Sequence, residues 1–253
     1  MGEQGKIVRI AHAYGNTRAK LATALAADCD MIEVDMWYRG GDIRIHHERK
    51  VSWLPLLIDR VMSTHKPGRF AVRIGNYFFR PDIGTLRLDD LLKEVAGRKR
   101  LLLDVKGHYG DPHLHRYVDR LVGLIRKHNG ESWVAVCGQT YSVLSLVREI
   151  APDIEVRYSI EREYQWERFL NLLKSGVRQV CMAYGFIDAE KAKLMEKHNV
   201  DLYCWTVDDW DAARRLVAQG VDGIISNDLK LLAELHSWAT GPIPAESSAP
   251  PTP

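Results

Sequence analysis

The feature of this sequence that most constrains its fold is a strict alternation of two kinds of segment. Short runs rich in Val, Ile, Leu and Tyr are each followed by a longer run with apolar residues at helical spacing. Strands are expected over Ile7–Ala13, Met31–Tyr38, Leu101–Lys106, Trp133–Cys137, Ile154–Ile160, Gln179–Ala183, Leu202–Val207 and Gly223–Ser226. Helices are expected over Asn16–Ala27, Leu88–Ala96, His113–Lys127, Tyr141–Ile150, Tyr164–Lys174, Ala189–Lys197, Trp210–Ala218 and Leu229–Trp238, with Pro152, Gly176 and Gly220 as stops. A strand followed by a helix and another strand returns the chain to a parallel sheet. Eight such units in 253 residues match a closed (β/α)8 TIM barrel, about 250 residues, better than an open doubly wound sheet. The expectation is one α/β domain, a TIM barrel over residues 1–240.

Two segments stand outside the alternation. After the second strand and its hairpin extension, Ile43–His47, residues from about 50 to 85 hold Trp53, Phe70, Tyr77, Phe78, Phe79 and three prolines. This is an insertion between a strand and its helix, on the side of a barrel that carries catalysis. Residues 241–253 are rich in Pro, Ser and Ala and are expected to be a disordered tail.

Composition narrows the function. Thirty-five Lys and Arg against 33 Asp and Glu give a net charge of +2, without the basic excess of a nucleic-acid binder. No run approaches 18 consecutive apolar residues, so no transmembrane helix is expected. The N-terminal residues lack the apolar core of a signal peptide, which points to the cytoplasm. Cys29, Cys137, Cys181 and Cys204 are far apart, with no CxxC, and read as free thiols. Nothing here constrains the oligomeric state.

Barrel chemistry sits at the C-terminal strand ends, and the polar residues concentrate there. The first strand ends in His12, the second carries Glu33 and Asp35, its extension ends in His46 and His47, and the next carries Asp104 and Lys106. Glu33 and Asp35 are two apart and so share a face, where an apolar residue is the norm. Inward carboxylates repel and resist desolvation. A divalent metal is the simplest compensation, with Asp104 as a third oxygen donor; such a set suits Mg2+ or Ca2+. Two histidines beside it suit acid–base work near neutral pH. Together with Lys106, which can neutralise an anion, they suggest phosphoryl chemistry on a phosphodiester. Adjacent residues of a strand face opposite ways, and His47, followed by an acid, is the better site candidate of the two. Among the other histidines His108, just past Lys106, stays in view.

Ile10-Ala11-His12, Asn16-Thr17, Ile32-Glu33-Val34-Asp35 and His47-Glu48, in that order, resemble the glycerophosphodiester phosphodiesterase family. So do Leu103-Asp104-Val105-Lys106, Trp205-Thr206-Val207 and the run Gly220 to Asn227. The resemblance covers nearly all of the chain except the insertion and the tail. It implies a metal-dependent phosphoric diester hydrolase that cleaves a glycerophosphodiester to an alcohol and glycerol 3-phosphate. Glu33, Asp35 and Asp104 would hold one divalent cation, His12 and His47 would be the acid–base pair, Lys106 would contact the phosphate and Trp205 would wall the pocket.

The chain departs from the family pattern at four places. Ala13 stands where the family has Arg, Gly15 where it has Glu, Glu48 where it has Asp, and Asp104 where it has Glu. Losing an Arg removes a bidentate phosphate contact; Arg44 and Arg73 are candidates to replace it in space. The first departures resemble the sphingomyelinase-D-like phospholipases, which implies an alternative activity that releases the head group of a lysophospholipid. A third reading is a barrel that binds a phosphodiester without turnover. The expected partner is a small-molecule or lysolipid phosphodiester, not a nucleic acid.

Overall fold

A computed structural model describes residues 7–47, 49–50, 57–60, 72–74, 77–80 and 86–240. Eight parallel strands close on themselves: β1 (Val8–Ala11), β2 (Met31–Arg39), then β9 (Arg100–Val105), β10 (Val134–Gly138), β11 (Glu155–Ile160), β12 (Gln179–Ala183), β13 (Asp201–Trp205) and β14 (Gly223–Ser226). β14 pairs back onto β1, with Ile10 opposite Ile225, which closes the barrel. The crossover helices are α1 (Arg18–Ala26), α2 (Leu88–Val95), α3 (His113–Lys127), α4 (Tyr141–Ile150), α5 (Glu163–Lys174), α6 (Ala189–Lys197), α7 (Trp210–Ala218) and α8 (Leu229–Thr240). The protein is a (β/α)8 TIM barrel, as the alternation predicts.

The helices form because their apolar residues line one stripe. In α3, Tyr117, Val118, Leu121, Val122, Leu124 and Ile125 are buried against the barrel, each large apolar side chain contributing roughly 1.5–3 kcal/mol. Thr17, Asp188 and Asp209 cap α1, α6 and α7 by accepting a backbone N–H of the first turn, as N-cap side chains do.

The strands alternate between two apolar clusters. Ile32, Val34, Leu101, Leu103 and Val136 face the helices. Ile10, Met31, Leu102, Ala135, Cys137, Cys181, Tyr203 and Ile225 fill the barrel interior. At the entry end of the strands the interior is charged: buried Arg157 pairs with Glu155 and Asp201, and its guanidinium stacks 3.3 Å from the centre of the Tyr203 ring. Toward the exit end the apolar filling gives way to Glu33, Asp35 and Asp104.

β2 overshoots the barrel and turns into β3 (Asp42–Ile45), with Trp37 opposite Arg44. The insertion contributes β4 (Arg49–Lys50), β5 (Leu57–Arg60), β6 (Val72–Ile74) and β7 (Tyr77–Arg80), an antiparallel sheet in the order β4-β5-β7-β6. β8 (Leu86–Arg87) returns beside β3, so the insertion leaves and rejoins at neighbouring strands. Trp53, Phe70 and the tail 241–253 lie outside the described residues. Among the described residues no helix is long and apolar enough to cross a membrane, and all four cysteines are buried free thiols.

Candidate active site

A cavity of about 760 Å3 opens at the C-terminal end of the barrel. His12, Glu33, His47, Asp104, Lys106, His108 and Trp205 all line it. Asp35 lies just beneath, buried, with one ligand oxygen of Glu33, Asp35 and Asp104 each within 4.8 Å of the others. The seven residues that the resemblance assigns to the site therefore meet at one place, with His108 beside them. His46 does not: it is buried with its ring stacked on Trp37, centroids 6.0 Å apart. β3 ends at Ile45, short of the expected extension to His47, and in the bend that follows the two histidines part: His47 is the one that reaches the cavity.

The register explains the convergence. β2 and β9 pair with Asp35 opposite Asp104 and Glu33 opposite Leu102. Inward residues of neighbouring strands thus bring three acids to one corner. Lys106, one turn of the pleat beyond Asp104, places Nζ 2.8 Å from Asp35 Oδ1 and 2.5 Å from Asp104 Oδ2.

This corner holds three carboxyl groups and one ammonium, and the imbalance shows in their acidity. Burial pushes Glu33 well above the ordinary carboxylate range, and the charges of Asp35 and Asp104 push it the same way. Burial likewise raises Asp104, against the pull of Lys106. Asp35 goes down: burial opposes ionisation, but Lys106 and His47 outweigh it. Lys106 is held well above its ordinary value, the three acids overcoming burial. A set of hard oxygen donors whose ionisation is opposed by burial and by one another fits a divalent metal, which would compensate their charge.

His12 is held by residues that the sequence reading passed over. Its Nδ1 lies 2.9 Å from Asn227 Oδ1. Asn227 Nδ2 in turn donates to Asp208 Oδ2 at 2.8 Å, and Asn227 N donates to Asp208 Oδ1. A carboxylate only accepts, so Asp208 fixes the Asn227 amide with its oxygen toward the ring. His12 therefore carries its proton on Nδ1, and Nε2 turns toward Glu33, 3.9 Å away. Burial lowers the imidazole from its ordinary 6.5, against the upward pull of Asp35 and Asn227. Asn16 plays a similar part for the acids. Its Nδ2 donates to Asp35 Oδ2 at 2.5 Å and its Oδ1 accepts from Asp35 N at 2.9 Å. From the sequence Asn16 reads as the start of a helix; in the fold it sits in a 3-10 turn ahead of α1, whose cap is Thr17.

The structure gives a steric reason for one departure from the family pattern, Gly15, and shows the surroundings of Ala13 and Asp104; Glu48 lies outside the described residues. Ala13 adopts a left-handed conformation with φ 57°, and its N–H donates to Glu33 Oε2 at 2.6 Å. At Gly15 a Cβ would lie 2.2 Å from Val34 Cγ2, so this backbone admits no side chain. Gly138, with φ 141°, packs its Cα where a Cβ would stand 2.9 Å from Asp104 Oδ1. Arg44 does not replace the missing cation: its guanidinium turns to Asp42, away from the cavity lining. The side chain of Arg73 lies outside the described residues.

A TIM barrel that gathers three acids, two histidines and a lysine at its strand exits has the make-up of an enzyme site for an anionic substrate. Comparison with known proteins makes that class specific. Residues 83–231 match the model of the glycerophosphoryl diester phosphodiesterase family. A glycerophosphodiester phosphodiesterase of Caldanaerobacter subterraneus subsp. tengcongensis is 24% identical over 227 residues, 87% of this chain and 91% of the relative. Among solved structures, a Silicibacter pomeroyi DSS-3 protein described as a glycerophosphoryl diester phosphodiesterase superposes with a TM-score of 0.74 at 18% identity, covering 91% of this chain and 92% of the other. A phosphodiesterase of Oleispira antarctica, solved with the product sn-glycerol-3-phosphate, superposes with a TM-score of 0.66 at 16% identity, covering 90% and 96%. The chain belongs to the glycerophosphoryl diester phosphodiesterase family and is a phosphoric diester hydrolase.

Proposed function

We propose that this enzyme hydrolyses a glycerophosphodiester to an alcohol and glycerol 3-phosphate, with Glu33, Asp35 and Asp104 holding one divalent cation, Mg2+ or Ca2+. The observation that carries the reading is the meeting of three carboxylate oxygens within 4.8 Å, in the cavity that His12 and His47 share. When bound, the cation supplies positive charge to the phosphoryl oxygens.

The chain's own residues supply the rest. His12, neutral at pH 7 and protonated on Nδ1, keeps its Nε2 lone pair free to accept a proton from the attacking hydroxyl or water. That suits it to the base role, and His47 to protonation of the leaving alcohol. Lys106 presents an ammonium from the acid corner to the phosphate. Trp205 closes one wall and excludes water. The four reduced thiols suit a reducing compartment, and we place the enzyme in the cytoplasm.

A second reading, release of the head group from a lysophospholipid, is favoured by one observation. At Ala13, where the family carries a cationic side chain, the backbone N–H is committed to Glu33 and this position offers the substrate no charge, which leaves Lys106 to do so. The test is alcohol release from glycerophosphocholine and lysophosphatidylcholine side by side, with Mg2+ or Ca2+, an EDTA control and the His12→Ala protein. Metal-dependent release, lost in His12→Ala, is expected, and the faster substrate chooses between the readings. Turnover that survives EDTA and His12→Ala would overturn both.

A further inference from the structure

Away from the cavity, three arginines converge on one acid. Arg44 from β3, Arg87 from β8 and Arg120 from α3 place guanidinium nitrogens 3.6, 2.8 and 3.5 Å from the Asp42 carboxylate. Arg44 and Arg87 stand directly opposite each other in the β3–β8 register, where like charges destabilise a sheet. Asp42 is 13% exposed, and the three arginines keep 38–49% of their side-chain surface in solvent. Neither Asp42 oxygen is aligned for a hydrogen bond with these groups, and Arg120 Nε is buried without a hydrogen-bond partner among the described residues. Three cations thus share one anion at ion-pair distances, and the one buried guanidinium donor among them finds no acceptor among the described residues.

We propose that Arg44, Arg87 and Arg120 form a second, non-catalytic anion site that takes an oxyanion such as a phosphate. Guanidinium forks match phosphate oxygens two at a time, and an excess of two positive charges is what a phosphate group neutralises. Because the three arginines come from different elements, the fold itself brings them to one point. The phosphate can be a free ion or part of an anionic lipid head group; the chemistry recognised is the same.

The test uses the full-length enzyme and two probes: inorganic phosphate followed by calorimetry, and vesicles of phosphatidylcholine with or without phosphatidylglycerol followed by co-sedimentation. Arg87→Gln, Arg120→Gln and the double variant are compared with wild type, with turnover and thermal midpoint as controls. The expected result is loss of one class of phosphate binding site, at least about tenfold weaker in the double variant, while turnover stays unchanged. If the source is a lipid, retention on phosphatidylglycerol vesicles is lost instead, with little change toward free phosphate. Asp42→Asn guards against variants that merely unfold. It removes the competing carboxylate, so anion binding should tighten several-fold. Identical binding of both probes by wild type and the double variant, or an Asp42→Asn protein that binds no more tightly, would overturn the proposal.

Discussion

Replacing Asn227 with Leu tests how His12 is held. Leu keeps the branched shape, with somewhat more bulk, but removes the oxygen that accepts from Nδ1 at 2.9 Å. A buried donor left without a partner costs about 1–3 kcal/mol. At 1.36 kcal/mol per decade that is about 5- to 150-fold in rate, were the whole cost felt at the transition state. His12 retains 23% of its side-chain surface, so water can partly replace the lost acceptor, and the lower part of that range applies, a fall of about tenfold in kcat. KM should move less than about twofold, because Asn227 orients the ring rather than gripping substrate. Asp208→Asn should cost less: the acceptor stays, but the Asn227 amide is no longer held in one orientation. The assay is steady-state alcohol release, with 15N NMR of the imidazole to read the tautomer. A kcat within twofold of wild type in Asn227→Leu, with the Nδ1–H tautomer intact, would refute the argument that Asn227 sets the ring.

Other parts of the molecule carry their own expectations. Gly138→Ala forces a Cβ to within 2.8 Å of Val105 O and 2.9 Å of Asp104 Oδ1 at a φ of 141°, so cation affinity measured by calorimetry should fall at least about tenfold, and unchanged affinity counts against Asp104 as a ligand. Arg157→Leu removes the buried partner of Glu155 and Asp201. Breaking a buried pair costs about 3–5 kcal/mol, and because both acids keep some solvent contact the lower end is expected, read as a drop in the denaturant midpoint with kcat preserved in the folded enzyme. In EDTA, His12 should titrate below 6.5, as burial dictates. The unfolded chain then binds the proton more readily, so stability from this residue is full above pH 6.5 and declines as the pH falls through the folded value. An NMR titration of His12 giving a value above 6.5 would contradict that account of the site.

The backbone plan was written in the sequence because it depends on short-range physics. Apolar runs such as Leu101-Leu102-Leu103 have no alternation to expose to water, so they must be covered on both sides. Helical stripes such as Tyr117 to Ile125 supply the cover. The acids were legible for the same reason: Glu33 and Asp35 break an apolar strand on one face, and period 2 sends both inward. Asn16, Asp208 and Asn227 were not legible as site residues, because each is a common polar residue beside a helix start, and only closure of β14 onto β1 brings Asn227 to His12.

The sequence by itself therefore determined the number of strand–helix units, the parallel sheet and the inward acids, all set by periodicities that every residue shares with its neighbours. The tertiary structure alone decided which oxygen faces His12 Nδ1, why residue 15 is glycine, and that Arg44, Arg87 and Arg120 meet at Asp42. Those facts depend on atoms tens to hundreds of residues apart in the chain, and no local pattern records the register that joins them.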